Sequence, residues 1–344
     1  MKKNLNIEVL RIISMFLIVF GHICTGFIPL GTNGSDVLHM VTPKLIFFIT
    51  FHVNIFVLIS GYCGIRTLRN ILKIWKLLFS YLVLIASINV IASLGTFDYS
   101  SILLPLSRCP WWFMQIYILL AMIASVFLEP YLKQCSIRDT LKLVGILIII
   151  DVYFGHICHL RTINNGGYDL LHFITIYMIG AFLRKVDIKS ICIGKFKLNA
   201  KYWLIVFLVL MMLKVLNYIV INKIGFKDYY DEYNHPFNIV ISVSFFCLIM
   251  SMKFTNIKLI SISSSVIGVY LLQEHPLIKE KLIQFFDFFL KYCNGVLGLE
   301  ILFIIFFVVS IFFIAIIIDK IRIFIFNDYP HVVRLYVLDL KSVL

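Results

Sequence analysis

The stretch Glu8-Val-Leu-Arg-Ile-Ile-Ser-Met-Phe-Leu-Ile-Val-Phe-Gly-His22 is strongly apolar, yet it carries three ionisable side chains. Arg11 and His22 are separated by 11 positions (22 − 11), which in an α-helix is about three full turns. Both side chains therefore fall on one face, with His22 ~16 Å further along the axis. Glu8, three residues before Arg11, joins that face. The length and hydropathy of the run predict a helix that crosses a membrane.

Ionisable residues inside a membrane span are costly, and they indicate a functional site by default. We therefore take Glu8, Arg11 and His22 as candidate catalytic residues. The alternative is that Glu8 and Arg11 anchor the helix at the membrane surface while His22 hydrogen-bonds a neighbouring helix.

Composition predicts an all-α, polytopic membrane protein. Hydrophobic residues make up 61 % of the 344 positions and charged residues only 14 %, well below the roughly 25 % of a soluble globular chain. Apolar runs of spanning length recur along the whole sequence, which leaves no room for a sizeable soluble domain. The first run carries Arg11 and His22 and has no small-residue cleavage pattern, so it reads as a retained span rather than a signal peptide.

We predict about ten transmembrane helices, and the positive-inside rule orients them. The predicted spans are 7–29, 44–64, 77–95, 111–130, 140–157, 168–183, 202–222, 236–252, 259–278 and 296–318. Lys and Arg concentrate in the loops that are cytoplasmic when the N-terminus is cytoplasmic, and an even number of spans places both termini there. Lys279, Lys281 and Lys291, in the last outer loop, violate this bias. Residues 1–322 form the predicted membrane domain, and 323–344 form a cytoplasmic tail.

The net charge of +13 follows from this topology, so we expect membrane lipid, and no nucleic acid, as a partner. The eight cysteines are scattered without a CxxC pair. They are interpreted as packing residues, and no metal site is predicted.

Several other polar residues are candidates for binding. His52 lies near the outer part of the second span, where Ser60-Gly61 favours close helix packing. Arg66, Arg69 and Lys73 follow at helical i, i+3, i+7 spacing, and this spacing suits either a polyphosphate or lipid headgroups.

Two further groups lie near the predicted outer face. Trp112 opens the fourth span, where a tryptophan either anchors the helix in the interface or stacks on a sugar ring. Glu274 and His275 precede Pro276, and such a pair either does acid–base chemistry or lets a polar helix end meet water. Residues 279–295 are interpreted as an interfacial amphipathic helix.

The sequence as a whole resembles the acyltransferase-3 family of membrane acyltransferases, which O-acetylate bacterial cell-surface polysaccharides. Arg11 and His22 resemble the family's Arg-x10-His signature, and FHVNIFVLISGY (51–62) resembles its second-span segment, followed by a basic end at Arg66 and Arg69. The remaining similar segments are PWWFMQIYILLAMIASVFLEPYL (110–132), GGYDLLHFITIYMIGAFLRK (166–185), YNHPFNIVISVSFFCLIM (233–250) and SSSVIGVYLLQEHPLIK (263–279).

The resemblance implies an enzyme of the bacterial inner membrane that moves an acetyl group from cytoplasmic acetyl-CoA to a hydroxyl of a lipid-linked or polymeric carbohydrate. His22 would be the catalytic histidine, as a general base or a transient acyl carrier, and Arg11 its partner or a cation for the thioester or a phosphate. Arg66 and Arg69, with Lys73, would bind coenzyme A phosphates. Polysaccharide-assembly proteins are possible partners, because no extracytoplasmic esterase-like domain is present.

Trp112, His52, Glu274 and His275 are the candidate residues for the acceptor. Two readings compete with the transferase. One is a secondary transporter or polysaccharide flippase with Arg11 and His22 along its path, although no duplicated half-domains are seen. The other is an acyltransferase-like assembly partner without activity.

Overall fold

Each of the ten predicted spans overlaps one or more helices in a computed structural model. The structure describes residues 4–67, 69–188, 192–193, 196–197, 199–225 and 229–326. The helices of the first half are α1 Leu5–His22, α2 Ile28–Leu30, α3 Asp36–Ile49, α4 His52–Cys63, α5 Arg69–Ala92, α6 Ser100–Leu103, α7 Trp112–Ile123, α8 Glu129–Gln134 and α9 Ile137–Ile148. Those of the second half are α10 Leu170–Val186, α11 Ala200–Ile224, α12 Pro236–Ser251, α13 Lys258–Ser263, α14 Val266–Gln273, α15 Pro276–Leu290 and α16 Leu297–Ile325.

Seven helical segments in the described part of the chain are long and apolar enough to cross a membrane, and two shorter apolar helices accompany them. The predicted all-α, polytopic class is therefore confirmed. The described strands are a two-residue antiparallel pair, Cys192–Ile193 with Phe196–Lys197. The count of ten spans and the cytoplasmic termini stay predictions, and the predicted tail lies outside the described residues from 327 onward.

Two predicted spans are interrupted in the structure. The second begins earlier, at Asp36, and is interrupted after Ile49, where a new helix starts at His52. The ninth does not run to 278. It ends at Gln273, because Pro276 has no backbone N–H to continue the helix and instead begins α15. That helix, Pro276–Leu290, occupies most of the region predicted to be amphipathic.

Three helices contain a wide π-type turn, at Ile23–Phe27, Ala124–Leu128 and Ile149–Ile157. Such turns shift the register of the side chains that follow and are frequent at functional sites. The first one begins directly after His22.

Helices α4 and α10 approach so closely that only glycine fits at their crossing. A Cβ built on Gly61 would lie 2.0 Å from the carbonyl oxygen of Tyr177, and one built on Gly180 would lie 2.3 Å from that of Leu58. Small residues at such crossings let two backbones meet and pack efficiently inside a membrane. The prediction that Gly61 favours close helix packing is confirmed.

We expect Gly61→Ala to destabilise the protein by about 3 kcal/mol, at the upper end of the usual cost of overpacking, because the backbone of α10 cannot move aside for one side chain. The matched control is Gly145→Ala in α9, where an added Cβ meets nothing within 4 Å. Thermal unfolding in detergent should show a lower Tm for Gly61→Ala and an unchanged or higher Tm for Gly145→Ala. Equal Tm values would contradict this close approach.

Candidate active site

A cavity of about 260 Å³ lies between α1, α4, α7 and α14, and both Arg11 and His22 line it. The wall between them is mostly apolar and includes Met15 and Ile18 of the same helix face. The prediction that Arg11 and His22 lie on one face of the helix is confirmed. Because α1 is continuous from Leu5 to His22, the two side chains lie ~16 Å apart along the helix. We name the two regions the Arg11 end and the His22 end.

At the Arg11 end, a buried carboxylate holds the guanidinium. Arg11 is 35 % exposed, and its Nη1 lies 3.2 Å from Oε2 of Glu8, whose side chain is only 4 % exposed. Glu8 also accepts a hydrogen bond from the Ser263 hydroxyl, which ties α1 to α13. Glu8 and Arg11 therefore form one unit, and that unit is separated from His22 rather than in contact with it.

At the His22 end, the histidine pairs with the carboxylate that follows α14. His22 Nδ1 lies 3.0 Å from Glu274 Oε1, and Gln273 Nε2 lies 3.1 Å from the same nitrogen. The second carboxylate oxygen of Glu274 accepts a hydrogen bond from Lys279 Nζ at 2.9 Å. Two sequence candidates, His22 and Glu274, are thus brought together by chain segments 252 residues apart (274 − 22).

Glu274 lies in the break between α14 and α15, outside the membrane-spanning helix. Burial alone would raise the pKa of this carboxyl group, but the hydrogen bond and charge of His22, followed by those of Lys279, lower its pKa to about 2. The carboxylate therefore stays ionised at neutral pH.

An ionised carboxylate can only accept hydrogen bonds, so its contact assigns the proton of the neutral imidazole to Nδ1. The Gln273 amide then donates to Glu274 Oε1 at 3.4 Å rather than to Nδ1. The other ring nitrogen, Nε2, has no hydrogen-bond partner among the described residues and keeps its lone pair. A histidine held in this way is suited to accept a proton at Nε2, while the carboxylate stabilises the imidazolium that forms.

The other acceptor candidates lie at different depths. Trp112 lines the cavity, as its predicted position at the start of a span allows. His52 is buried, with Nε2 3.5 Å from where a Cβ on Gly21 would lie. His275 is also buried and stacks on Phe97 at 5.8 Å, so it turns away from the acid–base pair formed by its neighbour.

The prediction that Arg66, Arg69 and Lys73 lie on one face of one helix is wrong for Arg66. Helix α4 ends at Cys63, and Gly64, with φ +79°, turns the chain before Arg66. Lys73 belongs to the next helix, α5, which begins at Arg69. The side chain of Arg69 lies outside the described residues. Glycine is required at this turn because a positive φ strains other residues.

A buried network that the sequence analysis missed lies beside the cavity. His172 Nδ1 bonds to Asp151 Oδ2 at 2.8 Å, and its Nε2 bonds to Asn54 Oδ1 at 2.9 Å. Asn54 then donates to the carbonyl oxygen of Tyr233 at 3.0 Å, and Asn164 donates to Asp151. Asp151 and His172 are single polar residues in apolar runs, which could have flagged them, but the pairing spans up to 118 positions.

This network fixes two loops that carry aromatic rings. Tyr168 and Tyr233 lie 4.8 Å apart between ring centroids, and Trp112 lies 4.7 Å from Tyr168 and 6.1 Å from Tyr233. Trp112 and Tyr233 line the cavity, and Tyr168 is 46 % exposed. The three rings form an aromatic wall at the His22 end.

A second set of contacts joins the same loops at the surface. Glu232 bonds to His156 Nδ1 at 2.9 Å and to Arg161 Nη2 at 2.6 Å. Burial alone would raise the pKa of Glu232, but its hydrogen bonds to His156 and Arg161 outweigh burial and lower the pKa. This carboxylate is therefore ionised at neutral pH and holds the loops together.

No group of three or more His, Cys, Asp or Glu side chains within the described ranges is placed to hold a metal ion. Arg11, His22 and two rings of the aromatic wall line the cavity, and Glu274 contacts His22.

Comparison with protein families gives one match that extends over nearly the whole chain. The family described as an acyltransferase domain, acyltransferase-3, matches residues 4–320. This range includes α1 to α15 and most of α16, and with them the whole cavity. No curated protein and no solved structure matches the chain.

Proposed function

Because this chain belongs to the acyltransferase-3 family of membrane acyltransferases, we propose that it transfers an acetyl group from acetyl-CoA to a carbohydrate hydroxyl. His22 acts as the general base in this proposal. The acceptor is a lipid-linked or polymeric sugar unit at the surface of a bacterial inner membrane.

The observation that carries the proposal is one cavity lined by Arg11 at one end and by His22 at the other, with Glu274 paired to that histidine. The extended pantetheine arm of coenzyme A is a long, thin, uncharged chain that ends in the thioester. With its phosphates near Arg11, such an arm would run along the apolar wall and bring the thioester towards His22. The apolar wall excludes water, which protects the thioester from hydrolysis.

These groups account for every proton and bond in the transfer. Nε2 of His22 removes the proton from the sugar hydroxyl as the oxygen attacks the thioester carbonyl carbon. The tetrahedral intermediate collapses, the C–S bond breaks, and the imidazolium returns its proton to the departing thiolate. Glu274 stabilises the imidazolium through the Nδ1–H hydrogen bond between these two steps. The products are an acetyl ester and free coenzyme A.

Arg11 is assigned to the phosphate groups of the donor rather than to the reacting carbonyl. Its ~16 Å separation from His22 along α1 prevents contact with an oxyanion formed beside the histidine. A guanidinium gives bidentate contacts to phosphate oxygens. Arg66, Arg69 and Lys73 are kept as further donor-binding residues on the chain segment that follows α4.

The acceptor is assigned to the aromatic wall. Sugar rings present C–H faces that pack on aromatic planes, and Tyr168 is the most exposed ring of the three. A sugar stacked there would have its hydroxyls directed towards the His22 end of the cavity. Trp112 belongs to this wall, whereas the packing of His52 and His275 supports a structural role for these two histidines.

We expect Arg11→Met to raise the KM for acetyl-CoA about 10- to 100-fold, since one charge-assisted hydrogen bond is worth about 1.5–3 kcal/mol. The value of kcat should change much less, because Arg11 does not contact the reacting atoms. Steady-state kinetics in detergent measure both parameters. Arg11→Lys keeps the charge beside Glu8 and should recover part of the affinity, and Arg138→Met, at an exposed position, is the control. An unchanged KM in Arg11→Met would remove this residue from the donor site.

The reaction class itself is tested by incubating the purified protein with acetyl-CoA and a membrane extract that contains lipid-linked sugars. A transferase releases free coenzyme A thiol in step with base-labile acetate in the sugar fraction. A transporter or flippase leaves acetyl-CoA intact, and that result would overturn the proposal.

A further inference from the structure

Lys279 is one of the three lysines that break the positive-inside pattern of the sequence, and the structure gives it a specific partner. Its Nζ lies 2.9 Å from Oε2 of Glu274, whose other oxygen lies 3.0 Å from Nδ1 of His22. The lysine side chain is 31 % exposed and the glutamate 13 %. Lys279 thus meets the partly buried carboxylate from the side opposite the histidine.

We infer that Lys279 is a positioning residue for the acyl transfer, acting on His22 through Glu274. This inference rests on the proposed function. A carboxylate has two oxygens, and a hydrogen bond to the second oxygen restricts rotation of the group and helps to keep the first directed at the histidine. Lys279 holds the second oxygen, so that Glu274 keeps its first oxygen on the imidazole through proton uptake and release.

The position of Lys279 is itself fixed by the backbone. Pro276 begins α15, and the Lys279 N–H donates to the His275 carbonyl oxygen at 2.8 Å. A Cβ built on Gly26, in the π-type turn after His22, would lie 4.0 Å from Cε of Lys279. The aliphatic part of the Lys279 side chain therefore passes close to the π-type turn after His22. This contact restricts the conformations from which the ammonium group reaches Glu274.

The charge of Lys279 also has a direct electrostatic effect on the pair. The titratable groups facing the His22 ring are Glu274 and, beyond it, Lys279 from the α14–α15 region, Tyr270 from α14 at a ring distance of 6.4 Å, and His52 from α4. A positive charge at Lys279 favours the ionised form of Glu274, which is the form that accepts the Nδ1–H hydrogen bond of His22.

The test compares Lys279→Met, Lys279→Arg and the control Lys281→Met, whose lysine bonds to Gln284 instead. In Lys279→Met we expect kcat to fall about tenfold or more, with an unchanged KM for acetyl-CoA. Lys279→Arg should restore kcat, and Lys281→Met should match the parent protein.

A second measurement does not depend on turnover. Diethyl pyrocarbonate acylates the unprotonated ring nitrogen, so its rate of reaction at His22, followed by mass spectrometry at one pH, reports how Glu274 holds that ring. The rate should fall in Lys279→Met and not in Lys281→Met. The same rate in all proteins would overturn the role of Lys279 whether or not acetyl transfer is observed. An inactive parent protein with the expected fall in rate would overturn the proposed function alone.

Discussion

His22→Ala is expected to lower the rate of acetyl transfer by about 10²–10⁴-fold, the usual cost of removing a general base. The alanine cannot accept the hydroxyl proton, and Glu274 loses the ring that it orients at 3.0 Å. The protein should still insert and fold, because His22 faces the cavity and its side chain is 22 % exposed rather than buried in packing.

The comparison for this variant is His159→Asn. His159 is exposed and has φ +53°, a conformation that asparagine tolerates. Ester-linked acetate released by mild base from surface polysaccharide should disappear in His22→Ala and persist in His159→Asn, at equal expression and equal polymer amount. Acetate that persists in His22→Ala would remove the histidine from the chemistry.

Glu274→Gln is expected to lower kcat by about 10²-fold or more while leaving the KM for acetyl-CoA within about twofold, because the change affects proton transfer and not the Arg11 end. The amide has nearly the same size but no charge. It weakens the hold on Nδ1–H, no longer stabilises the imidazolium and presents an NH₂ group that can face Lys279.

Glu280→Gln is the matched control, since it makes the same substitution on the first turns of α15. Its carboxylate bonds to Gln284 at 3.2 Å and not to the histidine. Rates measured at saturating donor separate the two variants. Equal kcat values for both would show that the His22–Glu274 contact does not serve the reaction.

The sequence predicts the helices of this protein well, since hydropathy and span length are local properties of a chain in a membrane. It also predicts the shared face of Arg11 and His22, because one continuous helix fixes their relation. The break after Gln273 is encoded locally too, by Pro276, although the ninth span was predicted to continue through it.

Contacts between residues far apart in the chain are harder to predict from the sequence. Glu274 was predicted as a site residue only as half of a pair with His275, yet the structure pairs it with His22 and buries His275 against Phe97. Which neighbour a polar side chain meets depends on how helices are arranged around one another. That arrangement is set by contacts such as Gly61 on Tyr177, which a pattern in one segment does not reveal.

Arg66 illustrates a different source of error. Helical spacing to Arg69 and Lys73 holds only if one helix continues, and Gly64 ends it by taking a positive φ. The contacts among Asp151, His172 and Asn54 are not predicted from the sequence, for the opposite reason. Each residue is unremarkable alone and becomes informative only when three separate helical segments bring them together.

The most direct test of the account follows the acetyl group from the donor to the carbohydrate. Inside-out membrane vesicles containing the protein receive radiolabelled acetyl-CoA at their exposed cytoplasmic face, with His22→Ala vesicles as reference. Base-labile label in the carbohydrate fraction inside the vesicles, formed only by the parent protein, is the predicted result. Equal label in both preparations, or label that remains on acetyl-CoA, would contradict it.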